Sequence, residues 1–230
     1  MLRKDVCAVK ARGVGFSEIA ASLGVCSYTV KRNTHNVYVG FTEKYVSDVL
    51  SKAWFQLENL NTNTEGGMKH VRQKYNTAFH KKASKVNKQR EEIPTSWNSD
   101  IEGIVVDNPR KLRGDRIDKL FFEESGSNPN LIKTYLQSAP LVNVAGNKIG
   151  TRIVWGTGGD SKNMSQLEKI FWNPEGFNIL PYRHKYTTDG DYALTGFFIP
   201  AYAFMLRDDM VDSRGVTYED KAKAYFENER

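Results

Sequence analysis

The chain is poor in cysteine and has no long hydrophobic run. Its two cysteines, Cys7 and Cys26, lack neighbouring residues at the spacing of a metal site. They therefore argue against a disulfide framework and a zinc centre, and such low cysteine use fits a reducing cytoplasm. No apolar stretch approaches the roughly 20 residues that span a bilayer, and the N-terminus lacks the apolar core of a signal peptide. We therefore expect a soluble protein without a membrane partner.

The sequence does contain enough apolar residues for a large core, and it carries a modest positive charge. Hydrophobic residues make up 40% of the 230 residues and aromatic residues 12%, which excludes a disordered chain. The formal net charge is +6. A mild excess of this sign favours polyanionic partners such as nucleic acid or nucleotide.

Segments with the pattern of strands alternate with segments that have the pattern of helices. The predicted strands cover residues 5–10, 36–41, 101–107, 118–122 and 152–159, and the predicted helices cover residues 17–23, 42–60 and 127–142. This alternation predicts an α/β fold with a mostly parallel central sheet and flanking helices. Ligands of such sheets lie at the carboxyl ends of the strands. Three strand ends here have unusual chemistry: KARGVGFS, FFEES and WGTGGD.

The first of these segments, residues 10–17, has features of a phosphate-binding loop. The P-loop consensus G-x-x-x-x-G-K-[ST] lies between a strand and a helix, as this segment is predicted to do. Two glycines would let the backbone amides form an anion nest, Ser17 takes the place of the magnesium-binding hydroxyl, and Phe16 replaces the usual lysine. We therefore expect Lys10 or Arg12 to reach the phosphates from the other side of the loop. The predicted ATP-binding residues of the loop are Lys10, Ala11, Arg12, Gly13, Val14, Gly15, Phe16 and Ser17.

The two other strand ends supply acidic and hydroxyl groups. Glu123 and Glu124 follow the apolar strand 118–122. We assign Glu123 to the magnesium ion together with Ser17, and Glu124 to the activation of water as a general base. A glutamate pair after an apolar strand is equally typical of a solvated helix start. Gly156, Thr157 and Gly158 are the candidate segment that senses the γ-phosphate, and a plain glycine-rich turn is the alternative.

Residues 16–33 also match a helix-turn-helix, which would make the protein a DNA-binding regulator. In that interpretation Gly24 supplies the left-handed turn between two short helices. The small core would contain Ile19, Ala20, Leu23, Val25 and Val30, and the side chains facing DNA would be Thr29, Lys31 and Arg32. The strands predicted on both sides leave little room for the third helix that such a module needs.

Taken together, the three segments resemble the ATPase region of the large terminase subunit of tailed phages, the motor that packages DNA into proheads. The specific part is the block from LRGDR through FFEESGSNP, followed by WGTGGD, and the resemblance covers most of residues 5–205. It implies a P-loop NTPase fold of the additional-strand catalytic glutamate type, with ATP and Mg²⁺ as cofactors. It also implies catalytic roles for Lys10, Arg12, Glu123 and Glu124, and a coupling role for the segment around Thr157.

The implied partners are double-stranded DNA, the portal of the prohead, the small terminase subunit and further copies of the chain in a ring, all in the host cytoplasm. Residues 1–205 would form the ATPase domain and residues 206–230 a charged tail or linker. Terminase large subunits normally carry adenine-binding sequence before the loop and a C-terminal nuclease. Nine residues precede Lys10, and residues 206–230 are too few for a nuclease. We therefore expect an isolated ATPase segment, a split gene product or a fragment, which includes the alternative of a catalytically silent fragment.

Overall fold

The computed structural model describes residues 4–64, 73–76, 78–83, 88–89, 91, 97–112, 114, 116–157, 161–184, 193–204, 207 and 209–228. Strands and helices alternate, as predicted. The strands are β1 (Val6–Lys10), β2 (His35–Gly40), β3 (Gln73–Asn76), β4 (His80–Ala83), β5 (Ser99–Val105), β6 (Lys119–Phe122), β7 (Asn143–Val144), β8 (Asn147–Lys148), β9 (Thr151–Thr157), β10 (Tyr182–Arg183), β11 (Leu194–Thr195) and β12 (Phe197–Ile199). The α-helices are α1 (Phe16–Val30), α2 (Glu43–Asn63), α3 (Leu131–Gln137), α4 (Ala139–Val142), α5 (Ser161–Trp172) and α6 (Glu219–Asn228).

The central sheet has eight strands in the order β12-β1-β9-β6-β2-β5-β4-β3. The pairings from β12 to β5 are parallel, and β4 and β3 add an antiparallel hairpin at one edge. Strand β9 lies between β1 and β6, so one additional strand separates the strand before the loop from the strand before the two glutamates. The predicted α/β class, with a mostly parallel sheet and flanking helices, is confirmed.

Helices cover both faces of the sheet, which is why its central strands are apolar along nearly their whole length. On one face, α1 and α2 pack over Tyr38, Phe121 and Trp155. On the other face, α5 packs over a second cluster that includes Phe122 and Val154.

Helix α1 is longer than predicted and passes through Gly24 without a turn. The sequence interpretation that placed a left-handed turn at Gly24 is therefore wrong for this segment. A Cβ atom on Gly24 would lie 2.0 Å from the hydroxyl oxygen of Tyr38, so this position has no space for a side chain. The Tyr38 hydroxyl donates to the carbonyl oxygen of Ala20 at 2.9 Å. Glycine is required here because the helix lies directly on β2.

The burial along α1 also differs from that of a helix-turn-helix. Thr29, predicted to face DNA, is buried, whereas Val30, predicted to lie in a small core, is 67% exposed. Ile19 and Leu23 are exposed as well.

The helix predicted over residues 127–142 begins later and is divided. Residues Ser125–Ser127 form a 3₁₀ turn, α3 begins at Leu131, and α4 follows from Ala139. The side chain of Asn128 accepts the backbone N–H of Asn130 at 2.8 Å, which favours a turn before the helix. Pro140 lies in the first turn of α4, where its missing N–H costs nothing.

A buried ionic cluster lies at the amino end of the parallel strands. The Asp5 carboxylate is fully buried and accepts hydrogen bonds from the Arg152 guanidinium at 2.7 and 2.9 Å. It also accepts the backbone N–H of Arg152 at 2.7 Å and the Tyr135 hydroxyl at 2.9 Å, and it pairs with Lys148. The cluster therefore ties the starts of β1 and β9 to α3.

Two regions of the chain fall partly outside the described residues. Residues 69–90 are strongly basic in sequence, and of them the structure describes β3, β4 and a few adjoining residues. Within residues 206–230, predicted as a charged tail, α6 buries Ala222, and Val211 forms a bridge with Thr217. No helix in the described part of the chain is both long and apolar enough to cross a bilayer.

Candidate nucleotide-binding site

A cleft of about 730 Å³ opens where β1, β6 and β9 end. Residues from all three strand ends line it, together with the first turn of α1 and one side of α2. The carboxyl ends of parallel strands meet at one edge of the sheet, so residues far apart in sequence converge there. Of the eight predicted loop residues, all but Ala11 line this cleft. Ala11 is held at the start of the loop by a backbone hydrogen bond to Ile199.

The loop between β1 and α1 has the backbone conformation of an anion-binding turn. Gly13 has φ +79° and Gly15 has φ +71°, and both lie in the left-handed region that only glycine adopts readily. Gly15 is the N-cap of α1, and its carbonyl oxygen accepts the N–H groups of Glu18 and Ile19. The free N–H groups and the partial positive charge of the helix N-terminus therefore face the cleft.

Ser17 does not cap the helix, because the N-cap position is taken by Gly15. It lies inside the first turn of α1, and its hydroxyl donates to Glu123 Oε1 at 2.7 Å. Phe16, at the position of the usual loop lysine, packs against the ring of Trp155 at 5.3 Å between centroids. This position therefore provides an aromatic contact and no cation.

Lys10 is a buried cation at the cleft. It is the last residue of β1 and only 7% exposed, and its ammonium donates to Glu124 Oε1 at 2.7 Å. It also donates to Thr157 Oγ1 at 2.8 Å. The loop strand, the acidic strand end and the β9 strand end are therefore joined by one side chain. Arg12, the other predicted loop cation, is exposed and lines the mouth of the cleft.

Glu124 has an unusual backbone conformation, and its side chain is hydrogen-bonded to two residues. Its φ of +41° and ψ of 50° place it in the left-handed region, which costs a residue with a Cβ atom on the order of 1 kcal/mol. Thr157 donates its N–H to Glu124 Oε2 at 3.0 Å and its hydroxyl to Oε1 at 3.1 Å. Burial alone would raise the pKa of Glu124, but the hydrogen bond and charge of Lys10 and the donors of Thr157 hold it below the ordinary value. The carboxylate is therefore ionised.

Glu123 has the opposite environment. Burial raises its pKa to about 7, and the charge of Glu124 adds to this, while Ser17 and Lys10 oppose the rise. Its Oε1 accepts the Ser17 hydroxyl, but its Oε2 is buried and has no hydrogen-bond partner in the described part of the chain. An unpaired buried carboxylate oxygen is costly, and a cation would satisfy it.

Gly156 and Gly158 were predicted to act with Thr157. Gly156 lies in β9, and a Cβ atom there would lie 2.6 Å from the backbone nitrogen of Gly126. Glycine at this position therefore allows the turn after Glu124 to approach β9. Gly158 lies outside the described residues.

The sequence analysis missed the wall of the cleft that faces the loop. Helix α2 provides this wall with Lys44, Tyr45, Asp48, Ser51 and Lys52. These positions recur at helical spacing on α2, which was predicted as a helix but not assigned to the site. Lys52 also pairs with a loop-side carboxylate, Glu18, at 3.3 Å.

Comparisons with known proteins identify the fold. No protein-family model matches the sequence, and no curated protein matches it. A mutant ATPase domain of the large terminase of Thermus phage P74-26 superposes with a TM-score of 0.60 at 12% identity, covering 96% of this chain and 80% of that one. Another structure of that domain gives 0.57 at 13% identity, with coverages of 85% and 75%. The large terminase of bacteriophage HK97 gives 0.50 at 11% identity, covering 98% of this chain and 43% of that one.

At such low identity the likeness establishes the fold alone. The chain has the P-loop NTPase-like α/β fold of these ATPase domains, and the predicted resemblance is confirmed at this level. The order β12-β1-β9-β6-β2 places one additional strand between the loop strand and the acidic strand.

Proposed function

We propose that this chain is an ATP-hydrolysing motor domain of the terminase type, which powers the translocation of double-stranded DNA into viral proheads. The observation that supports this most directly is the convergence of three strand ends on one cleft. Lys10, Glu124 and Thr157 contact one another there, and Ser17 contacts Glu123. These residues are a cation, two carboxylates and two hydroxyls, which phosphoryl transfer to water requires.

In this proposal the phosphates of ATP lie on the backbone N–H groups of residues 12–17. The two left-handed glycines turn those groups inward, and the N-terminus of α1 adds favourable charge. Lys10 contacts the γ-phosphate from the side of the acidic strand. Arg12 contacts the phosphates from the mouth of the cleft.

Ser17 and Glu123 fit a magnesium ion. The Ser17 hydroxyl donates to Glu123 Oε1, and a hydroxyl and a carboxylate beside each other are oxygen ligands of the type that magnesium prefers. No group of three or more His, Cys, Asp or Glu side chains in the described ranges forms a metal site by itself, so phosphate oxygens and water would complete the coordination. The bound ion would neutralise the charge that develops on the β- and γ-phosphates.

Glu124 is the proposed general base. With ATP absent, Lys10 engages this carboxylate at 2.7 Å. The γ-phosphate oxygens compete for the same ammonium, so ATP binding leaves Glu124 held by Thr157 alone and able to accept a proton from water. The water oxygen then attacks the γ-phosphorus, the bond to the β–γ bridging oxygen breaks, and ADP and phosphate leave.

Thr157 is the proposed coupling residue, because it contacts both Lys10 and Glu124. Loss of the γ-phosphate returns Lys10 to Glu124 and changes the hydrogen bonds at the end of β9. The partners proposed for the assembled motor are DNA, the prohead portal, the small terminase subunit and a ring of copies of this chain, in the host cytoplasm.

The test is MgATP binding and hydrolysis by the purified chain and by Glu124→Gln, with and without double-stranded DNA. We expect the variant to bind ATP and to lose hydrolysis by about 100-fold or more, because it lacks the base. Glu18→Gln is the matched control, since Glu18 lines the same cleft but is 56% exposed and pairs with Lys52.

Hydrolysis by Glu124→Gln at the rate of the parent would refute the assignment of the base. Failure of the parent chain to bind ATP at millimolar concentration would favour the silent-fragment alternative. DNA binding that is sequence-specific and independent of nucleotide would favour the DNA-binding regulator.

A further inference from the structure

Trp155 is a core residue beside the first turn of α1. It belongs to β9 and is fully buried. Its ring packs against Phe16 at 5.3 Å and against Phe121 at 6.3 Å between centroids. These two contacts hold the indole between the first turn of α1 and β6, on the face of the sheet that α1 covers.

Glu123 is the neighbour of Trp155 across the strands. The parallel register pairs Phe122 of β6 with Val154 of β9, so the next residues along both chains lie side by side. Side chains alternate along a strand, which places Glu123 on the same face as Phe121. The contact between Glu123 and Ser17 agrees with this, because Ser17 belongs to α1.

The two side chains each present one buried polar atom that has no hydrogen-bond partner in the parts of the chain that the structure describes. The atoms are the indole Nε1 of Trp155 and Oε2 of Glu123. The indole nitrogen is a donor only and the carboxylate oxygen is an acceptor, so each is the type of partner that the other lacks. The indole also lowers the pKa of Glu123, as expected of a donor directed at the carboxylate. Buried polar atoms without a partner are rare, and two complementary ones on neighbouring strands point to one interaction.

We propose that Trp155 is a positioning residue of the nucleotide site, whose indole N–H donates to Glu123 Oε2 and fixes the orientation of this carboxylate. The Ser17 hydroxyl fixes the other oxygen, so donors on α1 and β9 would hold the group from two sides. Each oxygen keeps a second lone pair for a cation. The role of Trp155 in magnesium binding rests on the function proposed above, whereas the hydrogen bond itself does not.

The hydrogen bond is tested on the full chain without nucleotide or metal, by NMR of the ¹⁵N-labelled indole groups. The protein has four tryptophans, and Trp155→Phe identifies the resonance of interest by its loss. We expect Glu123→Ala to move the Trp155 indole proton upfield, because the variant removes the acceptor. Glu18→Gln is the matched control: Glu18 is 56% exposed and pairs with Lys52, so this variant should leave the resonance in place.

An indole resonance that does not respond to Glu123→Ala would overturn the proposal. If Trp155→Phe does not fold, phenylalanine variants of Trp54, Trp97 and Trp172 assign the remaining resonance by elimination. The measurement then proceeds with Trp155 intact.

The role at the metal site is tested by titrating Mg²⁺ against nucleotide binding and hydrolysis. We expect Trp155→Phe to weaken the apparent Mg²⁺ affinity by roughly 10- to 100-fold, the equivalent of one hydrogen bond to a charged group. Its rate at saturating Mg²⁺ and its nucleotide affinity without metal should stay close to those of the parent. The matched control is Trp172→Phe, because Trp172 lies in α5 and is 48% exposed.

An unchanged Mg²⁺ dependence in a folded Trp155→Phe variant would overturn the positioning role while the ATPase proposal stands. If the parent chain binds no MgATP, the proposed function fails, and the indole resonance still decides whether the contact exists.

Discussion

The contact between Lys10 and Glu124 predicts that one substitution will destabilise the protein and a different one will strengthen its affinity for ATP. Replacing Lys10 with methionine keeps most of the buried side-chain volume but removes the ammonium. Glu124 then keeps only the two donors of Thr157. Loss of one member of a buried pair costs about 3–5 kcal/mol, and since the Glu124 side chain is 24% exposed we expect about 2–3 kcal/mol.

A double-mutant cycle with Glu124→Gln measures the interaction energy between Lys10 and Glu124. Glu124→Gln removes the charge that Lys10→Met leaves unpaired. The loss of free energy of unfolding in the double variant should therefore be smaller, by about 1–2 kcal/mol, than the sum of the losses in the two single variants. The measurement is urea unfolding of the nucleotide-free chain, with unchanged m-values as the check on two-state behaviour. Additive effects would show that the two side chains do not interact energetically, despite the 2.7 Å separation.

The proposed function makes the same contact a determinant of nucleotide affinity. In that mechanism the γ-phosphate displaces Glu124 from Lys10 in the parent, whereas in Glu124→Gln the competing charge is gone. We therefore expect this variant to bind MgATP more tightly than the parent by about tenfold, the equivalent of one charge-assisted hydrogen bond, and Lys10→Met to bind more weakly. Equilibrium titration with a fluorescent ATP analogue measures both. Weaker binding by Glu124→Gln would refute the competition.

Two further predictions concern parts of the fold away from the cleft. Asp5→Ala leaves the buried Arg152 guanidinium without its carboxylate. The free energy of unfolding, measured with urea, should fall by about 3–5 kcal/mol. A loss below about 1 kcal/mol would show that the cluster is not stabilising. His35 pairs with Glu102 at 3.4 Å; burial lowers the pKa of His35, but this hydrogen bond and nearby carboxylates raise it above 6.5. The pair therefore contributes stability that is complete below pH 6.5 and is lost as the pH rises through the raised value. His35→Gln should flatten the pH dependence of unfolding in that range, and an unchanged profile would contradict the assignment.

The segments that could be predicted from the sequence are those whose chemistry lies on consecutive residues. The alternation of strand-like and helix-like segments predicts an α/β fold with a mostly parallel sheet, and the loop at residues 10–17 stands out because two glycines fall between a strand and a helix. Glu123 and Glu124 stand out for the same reason, because acidic residues directly follow an apolar strand. The comparisons confirm the fold class, whereas the roles of these residues remain predictions.

Features that depend on tertiary packing were not predictable. Gly24 has the sequence signature of a turn, but the hydroxyl of Tyr38 requires its glycine for close approach. The choice of Lys10 over Arg12 as the buried cation depends on where β6 and β9 end, more than 100 residues away along the chain. Trp155 is an ordinary apolar residue in the pattern of its strand, and only the register with β6 places this residue next to Glu123.

The two ends of β9 have different surroundings. Near its start, Arg152 binds the buried carboxylate of Asp5, whereas its last residue, Thr157, is hydrogen-bonded to Glu124 in the cleft. Five residue steps of about 3.3 Å each separate Arg152 from Thr157. In the proposed coupling, Thr157 would shift relative to the end that Asp5 holds. Strand β9 pairs with both β1, the strand before the loop, and β6, the strand before the two glutamates. A shift of β9 would therefore act on both strands. In this proposal, a change at the γ-phosphate would move the loop and the two glutamates together.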